Sequence, residues 1–166
     1  MPNTVTIRSA VFKDTKEIYN LIKDNDDMLI TRSMSDIAQH IDRFLVATDG
    51  DETVGAIAYD FLPEIGDPQR TSVELQSVCV KAGWRKKGVG RMLVEAQLAR
   101  VMPLEPFQIV VLTFAVAFFE KLGFSTVPKT SLMHKLYMGC INCVKHESPF
   151  TCPEQAMVKR LGDSKR

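Results

Sequence analysis

Val78-Cys79-Val80-Lys81-Ala82-Gly83-Trp84-Arg85-Lys86-Lys87-Gly88-Val89-Gly90-Arg91-Met92-Leu93 is the stretch on which the reading of this chain turns. An apolar run ends at Val80, a basic glycine-bearing turn follows, and beyond Gly88 the apolar residues take helical spacing. A strand therefore runs through a turn into a helix. The first turn of a helix has backbone N–H groups without partners in the helix, and its dipole adds roughly half a positive charge there. Gly88 and Gly90 let the backbone close on an anion with no Cβ in the way. Together these features suit a pyrophosphate, and Lys81, Arg85, Lys86 and Lys87 add mobile positive charge. The glycine spacing is neither that of a P-loop nor that of a dinucleotide fingerprint. A plain basic surface turn before a helix remains the alternative reading of the same residues.

Outward from this segment, Val73–Val80 is expected as a strand and Gly88–Val101 as a helix, ended by Pro103 and Pro106. Phe107–Leu112 reads as a strand, Ala115–Lys121 as a short helix with Gly123 as its C-cap, and Phe124–Val127 as another strand. Upstream, Val5 and Ile7 mark a first strand. Asp14 and Glu17 suggest a capping box for a helix from about Thr15 to Lys23. Ser33 or Ser35 should cap a second helix carrying Ile37 and Ile41. Phe44–Ala47 and Val54–Tyr59 read as a hairpin around Asp49-Gly50-Asp51-Glu52, and Pro63–Arg70 as a loop. This order of elements predicts a mixed α/β layer fold.

The 166 residues suit one domain. A net charge of +1 argues against a protein built to grip nucleic acid or an acidic membrane, so any anion site must be local. The most apolar stretch, Phe107–Phe119, is shorter than the roughly 20 residues needed to cross a bilayer. Met1–Ala10 reads as a polar lead and a strand rather than a secretory signal, so a cytoplasmic location with reduced thiols is expected.

Arg85, Gly88 and Gly90 resemble the coenzyme A signature Q/R-x-x-G-x-G/A of the GNAT acetyltransferases. Ala115 and Phe118-Phe119-Glu120-Lys121-Leu122-Gly123-Phe124 resemble the second GNAT motif, a helix ending in a K-x-G-F turn. The resemblance covers roughly Val5 to Val127. It implies a twisted mixed central sheet of about six to seven strands flanked by about four to five helices. Its two central strands would splay apart around acetyl-CoA. The implied cofactor contacts are Val78, Cys79, Val80, Arg85, Lys86, Lys87, Gly88, Val89, Gly90, Arg91 and Phe119. Residues 1–138 would form the acetyltransferase domain and 139–166 a cysteine-containing tail packed on it.

A narrower resemblance is to short, stand-alone N-acetylglutamate synthases, which act in arginine biosynthesis. It rests on Met28-Leu29-Ile30-Thr31-Arg32-Ser33, Val111-Leu112-Thr113, and Lys135 with the tail. It implies L-glutamate as acceptor, with Arg32, Gln76, Thr113 and Lys135 on the substrate side. Close relatives often read E-I-R-S where this chain has Glu74-Leu75-Gln76-Ser77, so an expected arginine is missing. The alternatives are another amine (polyamine, drug or protein N-terminus) and a non-catalytic acetyl-CoA sensor. Glu74 is the candidate base and the Val78 N–H the candidate oxyanion donor. Phe119 stands where many GNAT enzymes carry a tyrosine acid, so the thiolate would leave unaided or be protonated by water, and direct transfer in a ternary complex is expected. A buried strand role suits Cys79 better than a nucleophilic one.

Cys140 and Cys143 have the spacing of a zinc knuckle, with Cys152 and His146 as further ligands of a structural zinc. Packed reduced thiols are the first alternative and a disulfide the last. The expected partner is a small-molecule amine, with no nucleic acid and no membrane; a homodimer is left open.

Overall fold

The structure, a computed structural model, describes residues 4–132 and 152–161. Strand β1 (Thr6–Ser9) precedes helices α1 (Thr15–Lys23) and α2 (Met34–Gln39). Strands β2 (Leu45–Asp49), β3 (Glu52–Glu64) and β4 (Asp67–Val80) follow. Then come α3 (Val89–Val101), β5 (Ile109–Thr113), α4 (Val116–Glu120), β6 (Ser125–Val127) and β7 (Gln155–Lys159). The strands form one seven-stranded sheet ordered β1-β2-β3-β4-β5-β7-β6. The β4–β5 pair is parallel, whereas β1–β2, β2–β3, β5–β7 and β6–β7 are antiparallel. Among the described residues, the mixed sheet and its four α-helices match the expected architecture. Two compact units divide the chain, Met1–Tyr59 with Gln76–Pro103 and Asp60–Leu75 with Leu104–Arg166.

In the first unit, Ile18, Leu21 and Ile22 lie at helical spacing on one face of α1. They are buried with Ile37, Phe44, Val46 and Ala56. Each isoleucine, leucine, valine or phenylalanine among them contributes about 1.5–3 kcal/mol when fully buried. Ser33 caps α2 as expected, its hydroxyl accepting from the Asp36 N–H. The capping box expected at Asp14 and Glu17 does not form. The Asp14 carboxylate points backwards, accepting from the Val11 N–H at 2.8 Å and from both Arg8 nitrogens at 2.7 and 2.9 Å. An arginine fork is a better partner for a buried carboxylate than a lone backbone amide. That pairing holds the Asp14 pKa below the ordinary carboxylate value.

In the second unit, Val110, Ala156, Val158 and Leu132 form a buried cluster with Leu112 and Val127 against it. The loop expected at Pro63–Arg70 is instead the end of a long hairpin, turning at Ile65-Gly66, with Gly66 at φ 86°. Pro63 and Pro68 lie beyond the β2 and β5 pairings, which begin at Ile57 and Val73. A missing N–H there breaks no ladder with those neighbours. The sequence reading also missed β7, which sits between β5 and β6, with Val110 opposite Val158 and Thr126 opposite Met157.

Candidate functional site

The first unit carries the strand–turn–helix segment. The turn starts where the Lys81 N–H donates to Val54 O on β3, 2.8 Å away. A 3-10 turn covers Ala82–Trp84, and the chain then takes left-handed conformations at Lys86 (φ 62°) and Gly88 (φ 85°). Gly88 is the N-cap of α3, and no side chain caps the helix. The N–H groups of Val89, Gly90 and Arg91 thus have no acceptor in their own helix.

α3 lies close on the sheet because β3 carries a glycine beneath it. A Cβ on Gly55 would stand 2.9 Å from Leu93 Cδ1, 3.1 Å from the Cys79 carbonyl oxygen and 3.3 Å from Val89 Cγ1. Gly55 pairs with Ala47 beside a register shift in the β2–β3 ladder. An isolated strand glycine signals close backbone approach of this kind.

The basic residues differ in what holds them. Arg85 Nη2 donates to Asn25 Oδ1 at 2.6 Å, and Asn25 Nδ2 in turn donates to Leu21 O at the end of α1. Lys81 pairs with Glu52 and Arg91 with Glu95. Lys87 lies over the Trp84 ring at 5.1 Å. Lys86 is exposed and has no hydrogen-bond or ion-pair partner among the described residues. Asn25 was missed from the sequence, where nothing distinguishes it from a loop asparagine.

At the end of β4, Ser77 adopts φ 54°. Holding a non-glycine residue there costs about 1–2 kcal/mol, and such a residue bends the strand and re-aims the backbone of its neighbours. Val78 and Val80 are half-buried and Cys79 is buried. Burial pushes the Cys79 thiol up to about 12, which keeps it protonated and a poor nucleophile. Arg32 and Gln76 belong to the same unit. Arg32 is 14% exposed, donates to Asp36 at 2.5 Å, and lies over the Phe44 ring at 5.0 Å.

The second unit carries the other described candidates. Glu74 is 4% exposed and stands opposite Val110 in the β4–β5 ladder. Thr113 Oγ1 ends β5 by accepting from the Ala115 N–H at 2.8 Å, which leaves its own hydroxyl proton for another acceptor. Phe119 is buried edge-on to Phe118 and Phe124, at 4.9 and 5.3 Å, so it fills the core under α4. Gly123 supplies the left-handed turn expected after α4, at φ 89°. Lys135, Cys140, Cys143 and His146 lie outside the described residues. Cys152 Sγ lies 3.8 Å from Glu154 Oε2, and no cluster suited to a metal ion occurs among the described residues.

Among known proteins, an acetyltransferase (GNAT) domain model matches residues 40–126. An uncharacterized N-acetyltransferase of Chlorobaculum tepidum is 29% identical over 93% of this chain and 96% of its own length. Among solved structures, Mycobacterium tuberculosis Rv2747 in complex with CoA and NLQ superposes with a TM-score of 0.77 at 19% identity. That match covers 94% of this chain and 99% of Rv2747. N-acetylglutamate synthase of Neisseria gonorrhoeae, complexed with coenzyme A and N-acetyl-glutamate, also gives 0.77 at 19% identity. It covers 97% of this chain but 36% of the synthase. A family model spanning over half the chain, on a fold shared with coenzyme A-bound structures, identifies the chain as a GNAT acetyltransferase, an acyltransferase that uses acetyl-CoA to acetylate an amine.

Proposed function

We propose that the turn Arg85–Gly90 and the first turn of α3 hold the coenzyme A pyrophosphate, and that the acceptor is the α-amine of a small molecule, L-glutamate first. One observation carries the reading. The N–H groups of Val89, Gly90 and Arg91 open from a helix whose N-cap is a left-handed glycine without a side-chain cap. This arrangement offers an anion several aligned donors at the positive end of the dipole. The backbone of β4 up to Val80 would bind the pantetheine. N-acetyl-glutamate beside coenzyme A in the Neisseria synthase supports glutamate as the first acceptor to test.

An amine attacks a thioester only when neutral, and at neutral pH about one in a thousand molecules with a lysine-like pKa is neutral. Glu74 is the base in this reading, taking the proton directly or through water. Nitrogen bonds to the acetyl carbon, the Val78 N–H stabilises the oxyanion, and the carbon–sulfur bond breaks to release coenzyme A thiolate. Cys79 takes no part, so transfer is direct. Phe119 offers no proton, so the thiolate leaves unaided or is protonated by water.

A second reading, an acceptor without carboxylates, draws on the pairing of Arg32 with Asp36 and on glutamine at position 76. A thiol-release assay with acetyl-CoA and a panel of amines separates the two. Glutamate is expected to give the highest kcat/KM, and no release with glutamate beside strong release with another amine refutes it. Glu74→Gln is expected to lower kcat about 10²–10⁴-fold with coenzyme binding intact.

A further inference from the structure

The second unit contains a cleft of ≈ 160 Å³ at the starts of β4 and β5, and none of its described lining residues is given a role above. Its wall includes Arg70, Ser72, Phe107, Gln108, Val158 and Arg160. The ladder aligns Val73 with Ile109 and Ile109 with Lys159. One residue further along, Ser72, Gln108 and Arg160 fall in one cross-strand row. The Val73 N–H donates to Gln108 O at 3.0 Å, which carries the pairing to that row.

Three facts mark this row as built for a ligand. Ser72 is 1% exposed and Gln108 is 6% exposed, yet neither side chain has a hydrogen-bond partner among the described residues. Both residues line the cleft, and none of their polar atoms is sealed from solvent without a partner. Buried polar groups are otherwise almost always satisfied. The charge is also unbalanced. Arg70 donates to Glu64 at 2.6 Å and stacks over Phe107 at 4.1 Å, which neutralises the one acid among the described residues of the wall. Arg160 is exposed and has no partner among the described residues, leaving its guanidinium uncompensated by them at the end of the row.

We infer that this cleft binds a small organic carboxylate. Arg160 takes the carboxylate through two parallel N–H bonds. Phe107, Val127 and Val158 enclose an apolar body, and Ser72 and Gln108 meet one further polar group. A cavity of about 150 Å³ accommodates benzene, which limits the ligand to roughly six to ten heavy atoms.

Titration of the full chain with benzoate, followed by amide NMR, tests the inference. Benzamide serves as the neutral control and inorganic phosphate as an anion without an apolar body. The expected result is a Kd of about 1 mM or tighter for benzoate, with shifts centred on Ser72, Gln108 and Val158. Arg160→Gln should weaken binding at least ~10-fold, Arg160→Lys less, and coenzyme A binding should stay unchanged in both. Ser131→Trp, which keeps every charge and fills the wall, should abolish benzoate binding. The inference is overturned by no shift at ~10 mM benzoate, by benzamide or phosphate binding as tightly, or by Arg160→Gln binding benzoate like the wild type.

Discussion

Gly55→Ala adds a single methyl group where α3 rests on β3, and it tests the proposed link between the packing of the sheet and coenzyme binding. The new carbon would meet Leu93 Cδ1 at 2.9 Å, Cys79 O at 3.1 Å and Val89 Cγ1 at 3.3 Å. Leu93 and Val89 are both fully enclosed, so neither can swing away into solvent. The carbonyl belongs to the neighbouring strand and cannot rotate. The remaining response is for the first turns of α3 to lift. Overpacking of this kind costs about 1–3 kcal/mol, and the stiffer unfolded chain returns about 0.4–1 kcal/mol. The middle of these ranges leaves a net loss of roughly 1.3 kcal/mol, which should lower Tm by about 3–5 °C for a chain of this size. The lift also moves the N–H groups of Val89, Gly90 and Arg91. Hydrogen bonds to a charged group are each worth about 1.5–3 kcal/mol, so partial loss of one should raise KM for acetyl-CoA about 10-fold. KM for the acceptor should not move. Thermal melts and initial rates with each substrate varied decide the matter. A variant that melts with the wild type and keeps its coenzyme KM refutes the reasoning.

Three further outcomes are expected. Lys86→Gln should raise KM for acetyl-CoA by up to ~10-fold at low salt and less at high salt, whereas Arg91→Gln should have a smaller effect because Arg91 already pairs with Glu95. The Asp14 pKa is lowered chiefly by its bonds to Arg8. The stability this provides is fully present above the ordinary aspartate pKa of about 3.9 and is lost as pH falls below it towards the lowered folded value. Acid unfolding of Asp14→Asn should therefore show a shallower pH dependence than that of the wild type. The Cys79 thiol should resist alkylation in the native protein while Cys152 reacts, as peptide mapping after brief iodoacetamide treatment will show. Because the folded pKa of Cys79 is raised to about 12, its contribution is present at neutral pH and is lost as pH climbs from about 9.

Elements governed by local chemistry were legible in the chain. Helix α1 follows from Ile18, Leu21 and Ile22, the α2 cap from Ser33, and the start of α3 from Gly88. What escaped depends on residues distant in sequence. Asp14 looked like a cap because Glu17 follows it, but Arg8 offered a stronger partner. The prolines at 63 and 68 looked like loop residues, since nothing local says which strand edges stay unpaired. β7 has only Ala156-Met157-Val158 as an apolar signal, and it becomes a strand because β5 and β6 flank it. In the candidate site the turn and its glycines were visible. The left-handed Ser77, the Asn25–Arg85 bond and the unpartnered Ser72 and Gln108 arise only when separate segments meet.

The placement of β7 also governs how the molecule is made. β5 and β6 leave the ribosome before the strand that separates them, so each has an open edge facing a gap that only β7 can fill. Exposed edges of this kind recruit other chains, and pairing strands that lie far apart in sequence is slow. The second unit thus stays unfinished during synthesis until Gln155–Lys159 arrives, and its vulnerable interval lasts as long as the chain between β6 and β7 takes to emerge.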